Sequence, residues 1–248
     1  AFADRAHWLG DADFAKVPRG LVEKMYADKL ARRIDLRKAS KVKQHGQPPR
    51  AAADLFEKHT THIATADAKG NWVAITATVN TSFGSKVIIP GTGIVMNNQM
   101  DDFSIAPGVP NAFGLIGAEA NSIEPGKRPL SSMSPTIVLK DDRPVMTLGA
   151  AGGPRIISQT LLNIINRIDL GMTVEKSLAS PRFHHQWAPN ILFVESSLRQ
   201  NTVTRLKEYG HDVRQTSSVG ISQAIEIGED GTLHGAHDPR VPGKAAGY

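Results

Sequence analysis

TTHIATADAKGNWVAITATVN, residues 60–80, is the stretch on which the reading of this chain turns. Ile63, Thr65 and Asp67 alternate with His62, Ala64 and Ala66, DAKGN supplies turn residues, and WVAITATVN alternates again. That pattern predicts a β-hairpin with Thr60 at its leading edge. The segment before it, GQPPRAAADLFEKH at 46–59, reads as an exposed linker. A cut between His59 and Thr60 would create a nucleophile and its base together. The freed threonine would carry its own α-amine, whose ordinary pKa of about 7.7–8.0 lets it accept the hydroxyl proton. By pattern alone, two threonines opening a strand express β-propensity.

Outward from the hairpin, Leu21, Val22, Met25, Tyr26, Leu30 and Ile34 recur at helical spacing and predict an amphipathic helix over about 20–34. Residues 80–128 are rich in Gly, Pro and Asn with little periodicity, as functional loops are. Strands are expected at 136–139 and 145–148 around the turn Asp141–Asp142. A helix is expected at Arg155–Ile168, with Ile156, Ile157, Thr160, Leu161, Ile164, Ile165 and Ile168 on its buried side. Strands at 191–194 and 221–227 flank a short helix near 202–209. Hairpins mixed with long helices make the class α/β or α+β.

Composition removes several kinds of chemistry. The 248 residues include no cysteine, which excludes disulfides, a thiol nucleophile, thiolate zinc and iron–sulfur clusters. No apolar run approaches the roughly 18 residues of a membrane helix, so no membrane span is expected, and AFADRAHWLG resembles neither a signal nor a transit peptide. The net charge of +5 sits in residues 1–59, which hold 13 Lys/Arg against 8 Asp/Glu. Arg32, Arg33, Arg37, Lys38, Lys41 and Lys43 form a run without interleaved aromatics, which reads as a solvated helix end and linker rather than a nucleic-acid site. His184 and His185 are neighbours on an extended segment and point to opposite faces. They are read as packing and hydrogen-bonding groups, and no metal or other cofactor is expected. Met96, Met100 and Met133 are read as gap-filling core residues.

Seven segments in order, TTHIATAD, GNWVAITATVNTSFGS, GTGIVMNNQMDDFS, PGVPN, KRPLSSMSPTIVL, GGPRII and PRFHHQW, resemble the small subunit of the γ-glutamyltranspeptidases, which belong to the N-terminal nucleophile hydrolases. The opening AFADR, LGDADF and VP resemble the tail of that family's large subunit. The resemblance implies a division into 1–59, large-subunit tail and pre-cleavage linker, and 60–248, the catalytic subunit. It also implies a four-layer αββα sandwich, incomplete in this chain. Thr60 is similar to the threonine that attacks first the His59 carbonyl and then a γ-glutamyl amide, and Thr78 to the threonine that orients it. Asn80, Gln99 and Asp102 resemble the residues that bind the substrate's α-amino group, and Ser131 and Ser132 those that hold its α-carboxylate.

Gly152 and Gly153 resemble the oxyanion hole, and their place just before a predicted helix independently suits a developing negative oxygen. Pro154 departs from the family's GGSR, removing one donor while suiting a helix start. Residues 107–118 resemble a lid loop with Phe113 near its tip. The implied substrates are glutathione and other γ-glutamyl compounds, with water, amino acids or dipeptides as acceptors. The implied partner is the upstream large-subunit portion, which supplies a further carboxylate-binding arginine, and the implied location is periplasmic or secreted. A glutaryl (cephalosporin) acylase is the rival within the family, disfavoured by Asn80, Gln99 and Asp102. A non-catalytic basic binding module is the rival outside it.

Overall fold

A computed structural model describes residues 1–42 and 60–247. Lys43, the linker and His59 lie outside the described residues. The chain opens with helix α1 (Phe2–Trp8), a 3₁₀ turn at Arg19–Val22 and helix α2 (Lys24–Ala31). The predicted helix over 20–34 is therefore shorter, and its apolar side is not buried: Val22 is 90% and Met25 79% exposed. Periodicity gave a stripe but no partner for it, so here the stripe remains uncovered.

The decisive stretch folds as expected into β1 (Thr60–Ala66) and β2 (Trp72–Thr78), antiparallel, with Thr60 opposite Thr78. Asp67 closes the turn by accepting from the N–H groups of Lys69 and Asn71, an Asx arrangement. Residues 80–128 carry no strand beyond isolated bridges and two 3₁₀ turns, Gln99–Asp102 and Glu119–Asn121. Asparagine side chains organise them instead. Asn111 accepts from Phe113 and Leu115 N–H, while Asn121 accepts from Leu130 N–H and donates to Asp102 O.

From there the chain becomes regular: β3 (Thr136–Lys140), β4 (Arg143–Ala151), α3 (Arg155–Ile168), α4 (Val174–Ala179), β5 (Phe183–His184), β6 (Leu192–Glu195), α5 (Gln200–Glu208), β7 (Val213–Thr216), β8 (Ile221–Ile227) and β9 (Leu233–His237). The β3–β4 turn sits on Asp141 and Asp142, both at positive φ, as a two-residue hairpin requires. Strands run β3-β4-β8-β9 in one sheet and β5-β6-β7 in another, where β6 and β7 are parallel.

Alternation along β4 separates the layers. Thr147 and Gly149 face the β1–β2 hairpin: Thr147 Oγ1 donates to Val73 O at 3.2 Å, and Gly149 passes so close to His62 that a Cβ there would lie 2.3 Å from its ring. Met146 and Leu148 face the other way and join Val174, Leu178, Ala224 and Ala236 in the main core. Hairpin, four-stranded sheet and α3/α4 thus stack as three layers, an α+β arrangement consistent with an incomplete αββα sandwich.

Helix α3 has the predicted bounds but only part of the predicted inner face: Ile156 and Thr160 are buried as expected and Ile164 packs against the core. Arg155, Ile156, Gln159, Thr160 and Asn163 are buried, whereas Leu161 is 55% exposed. The inner face is polar because it serves a buried network. Gln159 donates to Ala151 O and accepts from Arg182 and Ser222. Arg182 reaches Asp238 at 2.7 Å, and Arg240 bridges Asp238 at 3.0 Å and Glu195 at 2.5 Å. Such pairs fix the mutual position of the two larger sheets more than they add net stability. The methionine reading is also corrected: Met96 and Met100 are exposed, since the loop carrying them lies at the open surface of the described chain.

Candidate active site

The hairpin register puts Thr60 and Thr78 side by side, and the Thr60 hydroxyl donates to Thr78 Oγ1 at 3.1 Å. Thr78 Oγ1 also accepts from Asn80 N–H at 2.8 Å. The oxygen facing the Thr60 hydroxyl is therefore held by a backbone donor. Asn80 takes positive φ to make this turn, a conformation asparagine tolerates better than most side chains.

Contacts between hairpin and sheet fix which end meets which. Thr147 meets Val73, whose partner is Thr65, and Gly149 meets His62. Two residues further along each strand, the hairpin arrives at Thr60 and β4 at its last residue, Ala151, with Gly152 next. Gly152 (φ 137°) and Gly153 (φ 57°) adopt conformations natural to glycine. Their carbonyls accept the first turn of α3, from Arg155 and Ile156 N–H, with Pro154 as N-cap. The loop before α3 thus brings a helix N-terminus to the threonine end of the hairpin, a setting that favours negative charge.

The loop after β2 gathers the next group. Asn80 Nδ2 donates to Asn98 O at 3.0 Å, and Asn98 Oδ1 accepts from Thr81 N–H. This ties Asn80 to the 3₁₀ turn that carries Gln99 and Asp102. Gln99 Oε1 is buried without a hydrogen-bond partner among the described residues. An orphaned buried acceptor is costly, and on the same 3₁₀ turn as the Asp102 carboxyl it is suited to a donor such as an ammonium. Burial pushes the Asp102 carboxyl up to about 7; Arg5 acts against this and Asp101 adds to it.

Ser131 Oγ accepts from Met133 N–H. Ser132 Oγ accepts from Arg5 Nη2 at 3.1 Å. The sequence reading gave no role to Arg5, which lies on α1, 127 residues away, although it falls within the AFADR stretch. Phe113 is buried, and the backbone carbonyls of Phe113 and Gly114 accept from Gln186 Nε2. The segment 107–118 is thus pinned at Phe113 and Gly114.

His184 bonds Ser158 at 2.8 Å and Gln186 at 3.0 Å, and burial holds it down to about 4. His185 bonds Asn190. Both are satisfied by hydrogen bonds, and among the described residues no three His, Asp or Glu side chains group as a metal would need. His62 Nδ1 bonds Thr76, and burial lowers it to about 4, so it too is neutral. The described part of the basic run is exposed apart from Ala39, which is half-buried. Among the described residues no helix is long and apolar enough to cross a membrane.

Comparison with known proteins follows the same lines. The family model described as gamma-glutamyltranspeptidase matches residues 1–248. The glutathione hydrolase proenzyme of Escherichia coli (strain K12) is 46% identical over 250 residues, covering 100% of this chain and 43% of that protein. That of Bacillus subtilis (strain 168) is 33% identical over 262 residues, again covering the whole chain and 43% of the relative. This chain therefore spans less than half the length of these relatives. A crystal structure of a threonine-to-alanine mutant of Helicobacter pylori gamma-glutamyltranspeptidase superposes with TM-score 0.70 at 43% identity, covering 73% of this chain and 100% of that one. A cephalosporin acylase from Bacillus halodurans superposes at 0.81 with 26% identity, over 100% of this chain and 42% of that one. Because that family model matches the whole of residues 1–248 and relatives up to 46% identical align along all of it, the chain belongs to the γ-glutamyltranspeptidase family.

Proposed function

We propose that this chain is the catalytic part of a γ-glutamyltransferase and glutathione hydrolase that matures by cutting itself at His59–Thr60. The observation that carries the reading is the Thr60 hydroxyl donating to a Thr78 oxygen that is itself anchored by Asn80 N–H. In this reading residues 1–59 are the tail of a large subunit and its linker, and 60–248 the small subunit. The remaining large-subunit portion is the partner, since the curated relatives are named proenzymes and are more than twice as long.

After cleavage the Thr60 α-amine serves as base, and Thr60 Oγ1 attacks the γ-carbonyl of glutathione or another γ-glutamyl compound. The N–H groups of Gly152 and Gly153 receive the developing oxyanion. The leaving amine departs with the proton held by the α-amine, and an acyl-threonine remains. Water, an amino acid or a dipeptide then takes the γ-glutamyl group. Asn80, Gln99 and Asp102 hold the donor's ammonium, and Ser131 and Ser132 its carboxylate. The orphaned Gln99 oxygen, on the same 3₁₀ turn as Asp102, favours a donor with an ammonium over a glutaryl one, despite the likeness to a cephalosporin acylase. A periplasmic or secreted location accords with the family. The test compares γ-glutamyl-p-nitroanilide with glutaryl-p-nitroanilide in the matured full-length protein. Faster release from the γ-glutamyl compound, abolished by Thr60→Ala, is expected; equal or reversed preference would refute the substrate assignment.

A further inference from the structure

Helix α1 is fitted onto the loops of the candidate site. Ala6 is buried, Phe2 meets the His184 ring edge-on at 5.6 Å, and Gly10 passes so close to Ala120 that a Cβ would lie 1.9 Å from its carbonyl oxygen. Just beyond, Asp11 accepts from both the backbone and the guanidinium of Arg128. This seating fixes where Arg5 reaches: one nitrogen, Nη2, donates to Ser132 Oγ at 3.1 Å and to Leu130 O at 3.5 Å.

We propose that Arg5 is a positioning residue for donor recognition, acting through Ser132 and Asp102 rather than on the donor itself. Ser132 Oγ has one hydrogen to give. Once the oxygen accepts from Arg5, that hydrogen is free to turn to the donor's carboxylate, and the guanidinium makes the hydroxyl a stronger donor. The same positive charge favours the ionised form of Asp102, the form an ammonium requires. The charged groups acting on Asp102 are Arg5, which lowers its pKa, and Asp101, which raises it. Arg5 is itself drawn down to about 10 by burial, with Asp102 acting in the opposite sense. One guanidinium from the segment before the linker thereby serves both halves of an amino-acid-shaped site. The proposal rests on the assignment of Ser132 and Asp102 to the donor.

The experiment uses the full-length protein carrying this chain, with γ-glutamyl-p-nitroanilide as the probe. Arg5→Gln is expected to raise KM about tenfold with kcat changed less than about threefold, and to move the acidic limb of kcat/KM upward by about one pH unit. Arg5→Lys keeps the charge and loses the fork, so the limb stays and KM rises by about threefold. Should Arg5→Gln fail to mature, Arg5→Lys decides: a raised KM with the limb in place supports the proposal, and an unchanged KM overturns it. A lower melting temperature without a change in KM or limb would mean a structural role and also overturn it. Asp102→Asn separates the two readings. If it leaves KM unchanged, the donor-site assignment fails; if it raises KM while Arg5→Gln matches the parent, the Arg5 proposal alone fails.

Discussion

Residues 136–240 and residues 60–128 solve the problem of holding a chain in place by different means. In the first, Met146, Leu148, Val174, Leu178 and Ala224 close a core between sheet and helices, and a buried Arg182–Asp238–Arg240–Glu195 network locks the sheets together. In the second, the hairpin leaves Ile63 51% exposed and Ile75 half exposed, and the loops beyond it are shaped by asparagine side chains. Burial fixes a scaffold; side-chain to backbone hydrogen bonds fix the irregular backbone that presents Asn80, Gln99 and Asp102. The proposed chemistry gathers where the two meet, at Thr60 on one side and Gly152 on the other.

The contrast can be broken most forcefully in the scaffold. Arg182→Met leaves Asp238 buried with only Arg240 as an ionic partner and is expected to cost about 3–5 kcal/mol of stability, read as a lowered midpoint of denaturant unfolding. A loss below about 1 kcal/mol would mean that the network is dispensable. In the loop region Asp102→Ala is expected to leave the fold intact while costing on the order of 3–5 kcal/mol in kcat/KM for γ-glutamyl donors. Glutaryl donors should suffer far less, and equal losses would remove Asp102 from the ammonium site.

A pH profile sharpens the same point. Because burial raises Asp102 to about 7 and only its ionised form pairs with an ammonium, kcat/KM for γ-glutamyl donors should fall as pH drops through about 7. The limb should vanish for Asp102→Asn; its persistence would assign it to another group, such as the Thr60 amine.

Where the regions join, Gly152→Ala forces φ near 137° on a residue with a Cβ, expected to cost about 1–3 kcal/mol and to lower kcat more than it raises KM. An unchanged kcat would move the oxyanion site elsewhere. The smallest effect belongs to the hairpin's outer face: Ile75→Thr should change the stability of this chain by less than about 0.5 kcal/mol, yet cost more in the full-length protein if further layers cover that face. Equal small costs in both would leave the face uncovered.

Legibility in the sequence followed the same division. Period-two alternation gave β1 and β2 nearly to the residue, and helical spacing gave α3 its bounds, Arg155–Ile168, because local pattern and tertiary demand agree there. Short β5, β7 and β9 escaped, since two to five residues paired to distant strands carry little pattern of their own. The inner face of α3 was partly misread because Gln159 and Asn163 are buried by partners far along the chain. The threonine and glycine pairs were visible together with their roles, whereas Arg5 stood in AFADR without one: its proposed role depends on α1 docking against residues more than a hundred positions away.

In the proposed function Thr60 becomes an N-terminal nucleophile, which intact mass and N-terminal sequencing of the purified full-length protein would reveal. A fragment beginning at Thr60 is expected in the parent, and an uncut chain in Thr60→Ala. Cleavage of the Thr60→Ala protein at the same bond, or an active parent with no such fragment, would contradict that proposal.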